Sequence, residues 1–315
     1  MSRTLLLLLV GCPLWAAPAV SVLTTANRQL EGQPSAKKIK IEVAGKTTEI
    51  AIERILSIHN GAALSPSELE RVANGIPAIL GADRAACDLA VEDLSNIGAA
   101  IITPLLKAYK DTDFHEPNPL YRLFARIMPS YADSLDRSLS VVRLTGGEVL
   151  RGKLADAEFT VGSTKLQMSE VRRLAVRQPM VAKKFEVHSL RHSTQIEYLD
   201  SGVMLSASSQ VNGKARGLVR LSWETDGWAS DADGLKVPGP NYKTNLVDGF
   251  AFGALVGRVG AGGANFIGGV NLSQKGLTAG RLYFAVNDNK HWQNNLGSFW
   301  VELRVSDAYD LGDAQ

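Results

Sequence analysis

The residues best able to do chemistry lie near the C-terminus. An apolar run ending at Val286 is followed by Asn287, Asp288 and Asn289, and a few positions later by Asn294 and Asn295. A strand that delivers its last residues into a loop, with the two asparagines returning from it, gathers one carboxylate and several amide oxygens on one rim. These are hard oxygen donors. Calcium takes six to eight of them, backbone carbonyls included, whereas zinc asks for His or Cys and magnesium for fewer protein ligands in stricter octahedral geometry. Calcium is the cation expected there. The plainer alternative is that Asn and Asp at a rim close turn backbone with their own side chains and hold no ion.

Other patterns carry less. Asp231-Ala232-Asp233-Gly234 imitates an EF-hand, but that frame puts Ala229 first and Pro240 twelfth, where ligands are required. His188 and His192 read as surface residues of a strand, too far apart to share a metal. Cys87 is the one cysteine beyond Cys12 and is expected to pack as a small apolar residue in a helix. The sequence holds no nucleophile elbow, His-Glu-x-x-His, Walker loop or Cys-x-x-Cys, and the Gly257 to Gly263 run has no lysine to clamp phosphate. No catalytic residue is assigned, and the chain is expected not to be an enzyme.

Several elements must position the rim. With 315 residues the chain exceeds what one core usually organises, so two or three modules are expected. Thirty-four basic residues against 32 acidic ones leave no footprint for nucleic acid or an anionic membrane surface. Past Lys183-Lys184 the composition changes: glycine becomes dense, and Trp223, Trp228, Trp292 and Trp300 all fall there. Short β segments separated by Gly, Asn and Asp, without a helical period, read as a sandwich.

Four blocks in this region, Gln195 to Val203, Gly227-Trp228-Ala229-Ser230, Phe252 to Gly260, and Asn287-Asp288 with Asn294 to Phe299, run in one order. Together they resemble the PA-IL-type domains of galactose-specific, calcium-dependent bacterial lectins. The resemblance spans roughly residues 185 to 306. It implies a metal set of Asp288, Asn294, Asn295, a carbonyl at His291 or Trp292, and the carbonyl of Asp231. Asp288, Trp292 and Asn294 are the residues expected to face the ligand. The chain departs from the family in two respects: the loop is one residue shorter, which leaves the carbonyl at His291 or Trp292, and residues 239–248 supply neither the His nor the Gln that hold galactose hydroxyls there. Trp292 suits stacking on a sugar face, or equally a plug in the core.

Upstream, Arg3, the apolar Thr4 to Val10 and Ala17-Pro18-Ala19 make a signal peptide over residues 1–19. Leu9-Val10-Gly11-Cys12 also fits a lipobox, the minority reading in which Cys12 is acylated. The apolar run is too short to span a bilayer, so no transmembrane segment is expected. Residues 20–36 read as a flexible lead-in. Alternation at Ile39, Ile41, Val43, Ile50 and Ile52 gives a first small β unit at 37–62. Ser65-Pro66-Ser67-Glu68 then opens a helical insert over 63–130 through a capping box, and Asp83 heads a second helix. A second small β unit occupies 135–178, with a break at Gln178-Pro179. Thr48 to Ile58 aligns without gaps on Thr164 to Leu174 with matching apolar positions, so the two units look related. They resemble Sm-like barrels, and the insert resembles a HEAT-type helical hairpin. The sandwich follows at 185–306 and a tail at 307–315.

The fold class expected is therefore multi-domain α+β: small β units with a helical insert, then an all-β, jelly-roll or galactose-binding-like sandwich. The expected function is an exported, secreted or periplasmic, envelope-associated protein that binds carbohydrate or a glycoconjugate with calcium. A protein partner is expected for its N-terminal region. The alternative is a structural scaffold of the cell envelope with no sugar ligand.

Overall fold

The computed structural model describes residues 18–61, 63–110, 120, 123, 124, 127, 138–222, 228–235, 247, 249–288, 292–312 and 314. The expected signal segment, apart from Pro18 and Ala19, lies outside them. The architecture is mostly β, dominated by one large antiparallel sheet. Strands β1 (Val20–Thr24), β2 (Gln29–Gly32), β3 (Lys38–Val43), β4 (Lys46–Ala51) and β5 (Ile55–His59) come first. Helices α1 (Pro66–Leu80), α2 (Arg84–Ile97) and α3 (Ile102–Lys110) follow, and then β6 (Ser140–Leu144), β7 (Val149–Leu154), β8 (Glu158–Val161), β9 (Thr164–Gln167) and β10 (Val171–His188). The remainder comprises β11 (Leu199–Arg216), β12 (Val219–Arg220), β13 (Ala229–Ser230), β14 (Leu255–Val259), β15 (Asn265–Ile267), β16 (Asn271–Gln274), β17 (Gly280–Val286) and β18 (Leu296–Asp310).

The two aligned segments adopt the same structure. Each is a strand, a 3-10 turn (Ile52–Arg54, Met168–Glu170) and a second strand. The aligned residues Ile58 and Leu174 pair with each other where β5 meets β10, flanked by His59 with Arg173 and Ser57 with Ala175. A local twofold axis therefore passes through that pair. Backbone bonds obey it: Thr25 N–H to Glu170 O (2.8 Å) is matched by Thr145 N–H to Arg54 O (2.9 Å), and Ile52 N–H to Lys37 O (3.0 Å) by Met168 N–H to Ala157 O (2.9 Å).

The repeats are intertwined. β1 pairs with β10 and β6 with β5, while β7 pairs with β3 and Pro34 bridges to Val161 beside β2. Each small barrel takes its first two strands from one repeat and its last three from the other, an exchange of corresponding elements within one chain. One apolar cluster, from Val20 and Val22 through Ile41, Ile58, Val142 and Leu174, serves both. The flexible lead-in at 20–36 is accordingly corrected. Val20–Thr24 is buried throughout: Val20 and Val22 fill the barrel completed by the second repeat, and the other face of the strand is covered as well. The units at 37–62 and 135–178 are likewise too short and not separate.

The helical insert forms where the capping signals place it. Ser65 caps α1 with Glu68 closing the box, and the Asp83 side chain accepts from Ala85 N–H and Ala86 N–H at the start of α2. Glu68 has a second task. It receives Arg172 of β10 in a two-pronged pair (2.7 and 2.6 Å), and Arg172 also donates to the carbonyls of Asn60 and Ala63. Both side chains are buried, so this pair fixes the insert on the barrels. The stretch Arg84–Tyr109 is long and apolar enough to cross a membrane by length and composition. Gly98, at φ 74°, breaks it, and Val91, Leu94, Ile97, Ile101 and Leu105 form the insert's own core with Leu120, Leu123 and Ile127.

The expected break at Gln178-Pro179 and the expected tail are also corrected. β10 runs unbroken from the barrels into the last module, and β18 continues to Asp310 with Ala308 and Tyr309 buried. Proline fits because it lacks an N–H and stands between the Gln178–Ala308 and Met180–Ser306 pairs. Across from it Asp307 takes φ 50°, and its carbonyl accepts from Ser206 Oγ (2.7 Å) and Ser209 Oγ (2.8 Å) where β11 bulges. In the last module β15, β14, β17, β11, β18 and β10 lie in that order, with β16 beside β11. They fold over one core containing Phe185, Phe266, Phe284, Phe299 and Val301.

Candidate functional site

β17 is buried from Leu282 to Val286 because it lies between β11 and β14. A strand held on both sides ends sharply, and its next two residues divide the work. Asn287 is wholly engaged by structure: its Oδ1 accepts from Val247 N–H (3.0 Å) and its amide donates to the carbonyls of Phe250 (3.1 Å) and Ala251 (3.2 Å). Asp288 is buried as well, and its backbone is clamped. Its N–H donates to Thr194 Oγ1 (3.1 Å), and its carbonyl accepts from that hydroxyl (3.2 Å) and from Gln195 Nε2 (3.0 Å).

With the backbone fixed, the Asp288 carboxylate meets Asn295. The Asn295 amide donates to Asp288 Oδ2 and, at 3.3 Å, to the carbonyl of Ser189. Its other atom, Oδ1, is buried without a hydrogen-bond partner. A buried acceptor left unmatched costs roughly 1–3 kcal/mol. The oxygen and nitrogen ends of the amide are isosteric, so the alternative orientation would aim three oxygens, from Asp288, Asn295 and Ser189, at one another. In the orientation present only Oδ1 is left open; a cation would match the three oxygens of the other, whose amide N–H groups would then lie where Oδ1 is now.

The sequence has no family-model match and no match among curated proteins. Among solved structures the chain is similar to the N-terminal domain of EclA, described as a PllA-like lectin. The identity is 20%, over 40% of this chain and 96% of that one, with a TM-score of 0.31. A score that low carries no argument, and the site stands on its own atoms.

Those atoms bring together two of the expected ligands, Asp288 and Asn295. Asn294 is half-buried at the end of the 3-10 turn Trp292–Asn294 that links the two. His291 lies outside the described residues. Asp231 stays within its own turn: its carbonyl accepts from Ser230 Oγ (2.8 Å) and Gly234 N–H (3.1 Å), and its carboxylate from Asp233 N–H (3.0 Å). Asp233 in turn accepts from Val270 N–H (2.7 Å), so the EF-hand-like run is a tethered turn. Among the described residues no group of three or more His, Cys, Asp or Glu side chains could hold a metal. Any cation here depends on mixed carboxylate, amide and carbonyl oxygens, which is calcium's chemistry rather than zinc's.

Spacing gave no sign of the shelf beneath the site. Ser189, Thr194 and Gln195 belong to the turn after β10, far away in sequence. His192 organises that turn, its Nδ1 accepting from His188 N–H (3.0 Å). Burial, then the neighbouring His188 and Arg191, hold its pKa down at about 4. The reading of His192 as a surface strand residue is therefore corrected: the chain curls after His188, and the imidazole turns inward as a neutral acceptor.

Proposed function

We propose that the last module is a non-catalytic carbohydrate-binding module whose rim at Asp288 and Asn295 takes calcium together with hydroxyls of a sugar. The observation that carries the reading is the pairing of the buried Asn295 amide, its Oδ1 unmatched, with the buried Asp288 carboxylate. Asp288, Asn295 and the Ser189 carbonyl would hold the ion. Fewer than six protein oxygens leave coordination positions for ligand hydroxyls, and a bound cation would orient those hydroxyls and draw charge from them. The order of the four sequence blocks supports the same reading. Export belongs to the proposal too: cleavage after Ala19 would leave Val20, the first residue of β1, as the new N-terminus.

The test is thermal melting of the full chain with and without millimolar calcium, since an ion bound only to the folded state raises the melting temperature. The wild type is expected to gain several degrees that chelation removes, and Asp288→Asn to gain none. A calcium-independent melt, with no glycan retained on an array, would favour the second reading, a scaffold without a sugar ligand. One observation supports that alternative. The module is tied to the rest by shared strands and by Arg258, which faces Asp88 of α2 at 3.6 Å.

A further inference from the structure

Trp300 is 59% exposed, although it sits mid-strand on the outer face of the sheet. It alternates with the buried Phe299 and Val301 on β18, so its direction is fixed by the strand. An exposed tryptophan forfeits most of the stabilisation its ring would gain by burial. The partners on either side are unlike. Glu186 of β10 lies directly opposite Trp300, and Arg216 of β11 directly opposite on the other flank. Strand spacing sets that carboxylate and that guanidinium about 10 Å apart at the backbone, with the indole between them. Neither Glu186 nor Arg216 makes a side-chain hydrogen bond or ion pair among the described residues. In the next row, by contrast, Glu302 is already paired with Lys184 at 3.2 Å. Leu218 and Leu296, 63% and 48% exposed, extend the apolar surface from Trp300 toward the rim.

We infer that this face is a second, metal-free carbohydrate subsite, with Trp300 as a platform for one pyranose ring and Glu186 and Arg216 as partners for its hydroxyls. The inference rests on the carbohydrate reading of the module but not on calcium. The chemistry selects the occupant. A pyranose offers a face of C–H groups to an indole and a rim of hydroxyls that both accept and donate, which matches an aromatic ring flanked by one acceptor and one donor. The flanking charges cancel, favouring a neutral polyol over an anion. A protein partner needs roughly 800 Å² from each side, and one indole with two leucines bordered by charged rows falls short of that. Trp300 lies five residues beyond Asn295, roughly 16 Å at a strand's rise; Asn295 precedes β18 and is buried, so the two places are separate.

The experiment is affinity electrophoresis of the full chain through gels containing, separately, soluble β-glucan, xylan, galactan and mannan, with and without chelator. Wild type is expected to be retarded by at least one of them in chelator. Trp300→Ala is expected to lose tenfold or more in apparent affinity, Trp300→Phe less, and Glu186→Ala with Arg216→Ala an intermediate amount, all with unchanged far-ultraviolet dichroism. Retardation in chelator that survives Trp300→Ala overturns the platform but leaves the carbohydrate reading standing. Retardation that needs calcium and is lost in Asp288→Asn alone also overturns it, in favour of the rim. Absence of retardation in every gel overturns both. Sedimentation velocity provides the last arm: a dimer that becomes monomeric in Trp300→Ala would assign the face to a second copy of the chain and end the proposal.

Discussion

His192 makes the shelf beneath the site sensitive to acid, and the size of the effect follows from its surroundings. The folded chain holds the imidazole neutral to about pH 4, because it is buried and its Nδ1 accepts from His188 N–H, whereas an unfolded histidine titrates near 6.5. Between those values the unfolded chain binds a proton that the folded chain does not, so stability falls as the pH drops from 6.5 towards 4 and levels off below that. At about 1.4 kcal/mol per pH unit of separation the ceiling is roughly 3 kcal/mol, most of it reached by pH 4.5. Asn at this position keeps an acceptor near Nδ1 and cannot titrate. Urea unfolding of wild type and His192→Asn is expected to give similar stability at pH 7, and a variant ahead by about 2 kcal/mol at pH 4.5. The comparison cancels carboxylates that titrate in both proteins. Two parallel stability curves over this range would refute the assignment of His192 as a neutral internal acceptor. Because Ser189, Thr194 and Gln195 share the turn, calcium-dependent melting is expected to weaken over the same range in wild type and to persist in the variant.

Two further outcomes test the fold that carries the site. Glu68→Gln keeps the capping box but leaves Arg172 buried without its countercharge, and is expected to cost roughly 3 kcal/mol in denaturant unfolding, whereas replacing both residues by methionine recovers much of it. Gly152 and Gly32 occupy corresponding places in β7 and β2, yet a Cβ at Gly152 would collide with the carbonyl of Glu42 while one at Gly32 would lie 3.1 Å from Gly162 N. Gly152→Ala is therefore expected to destabilise by about 1–3 kcal/mol and Gly32→Ala by clearly less, by the same measurement.

Much of the local structure was legible and the pairing was not. Capping chemistry is a short-range signal, so Ser65, Glu68 and Asp83 reported their helices directly. Alternation at Ile39 and Ile41 marked a half-buried strand, but period two says nothing about which strand lies alongside. The exchange of β1 and β6 between barrels is a choice among equivalent partners, made by the short crossings at 33–37 and 155–157. β1 escaped notice because its serine and threonine interrupt two valines and a leucine. A signal did exist: Val22, Thr25, Leu30 and Gly32 fall at the same spacing as Val142, Thr145, Leu150 and Gly152, and the tight turns at Asn27 and Gly147 both have positive φ. At the site, Asp288 and Asn295 are seven residues apart and their meeting was readable. The turn that clamps them is about a hundred residues away and was not.

The same long strands explain why the site belongs to the whole chain. β10 supplies the barrel core through Val171, Leu174 and Val176 and the sandwich core through Val181, Phe185 and Val187, with Pro179 at the crossing. β18 pairs with it from Ser298 to Tyr309, and Tyr309 donates to Glu31 of β2 at 2.6 Å. Burial, together with that carboxylate, pushes the Tyr309 phenol upward, so it remains a proton donor across the junction. β11 is held there by Arg281, which reaches Asp200 at 2.5 Å. The turn carrying Ser189, Thr194 and Gln195 emerges from the far end of β10 and packs under Asp288. Its position is therefore set by a strand rooted in both repeats, and the intertwined barrels act as the foundation that holds the rim's oxygens in register.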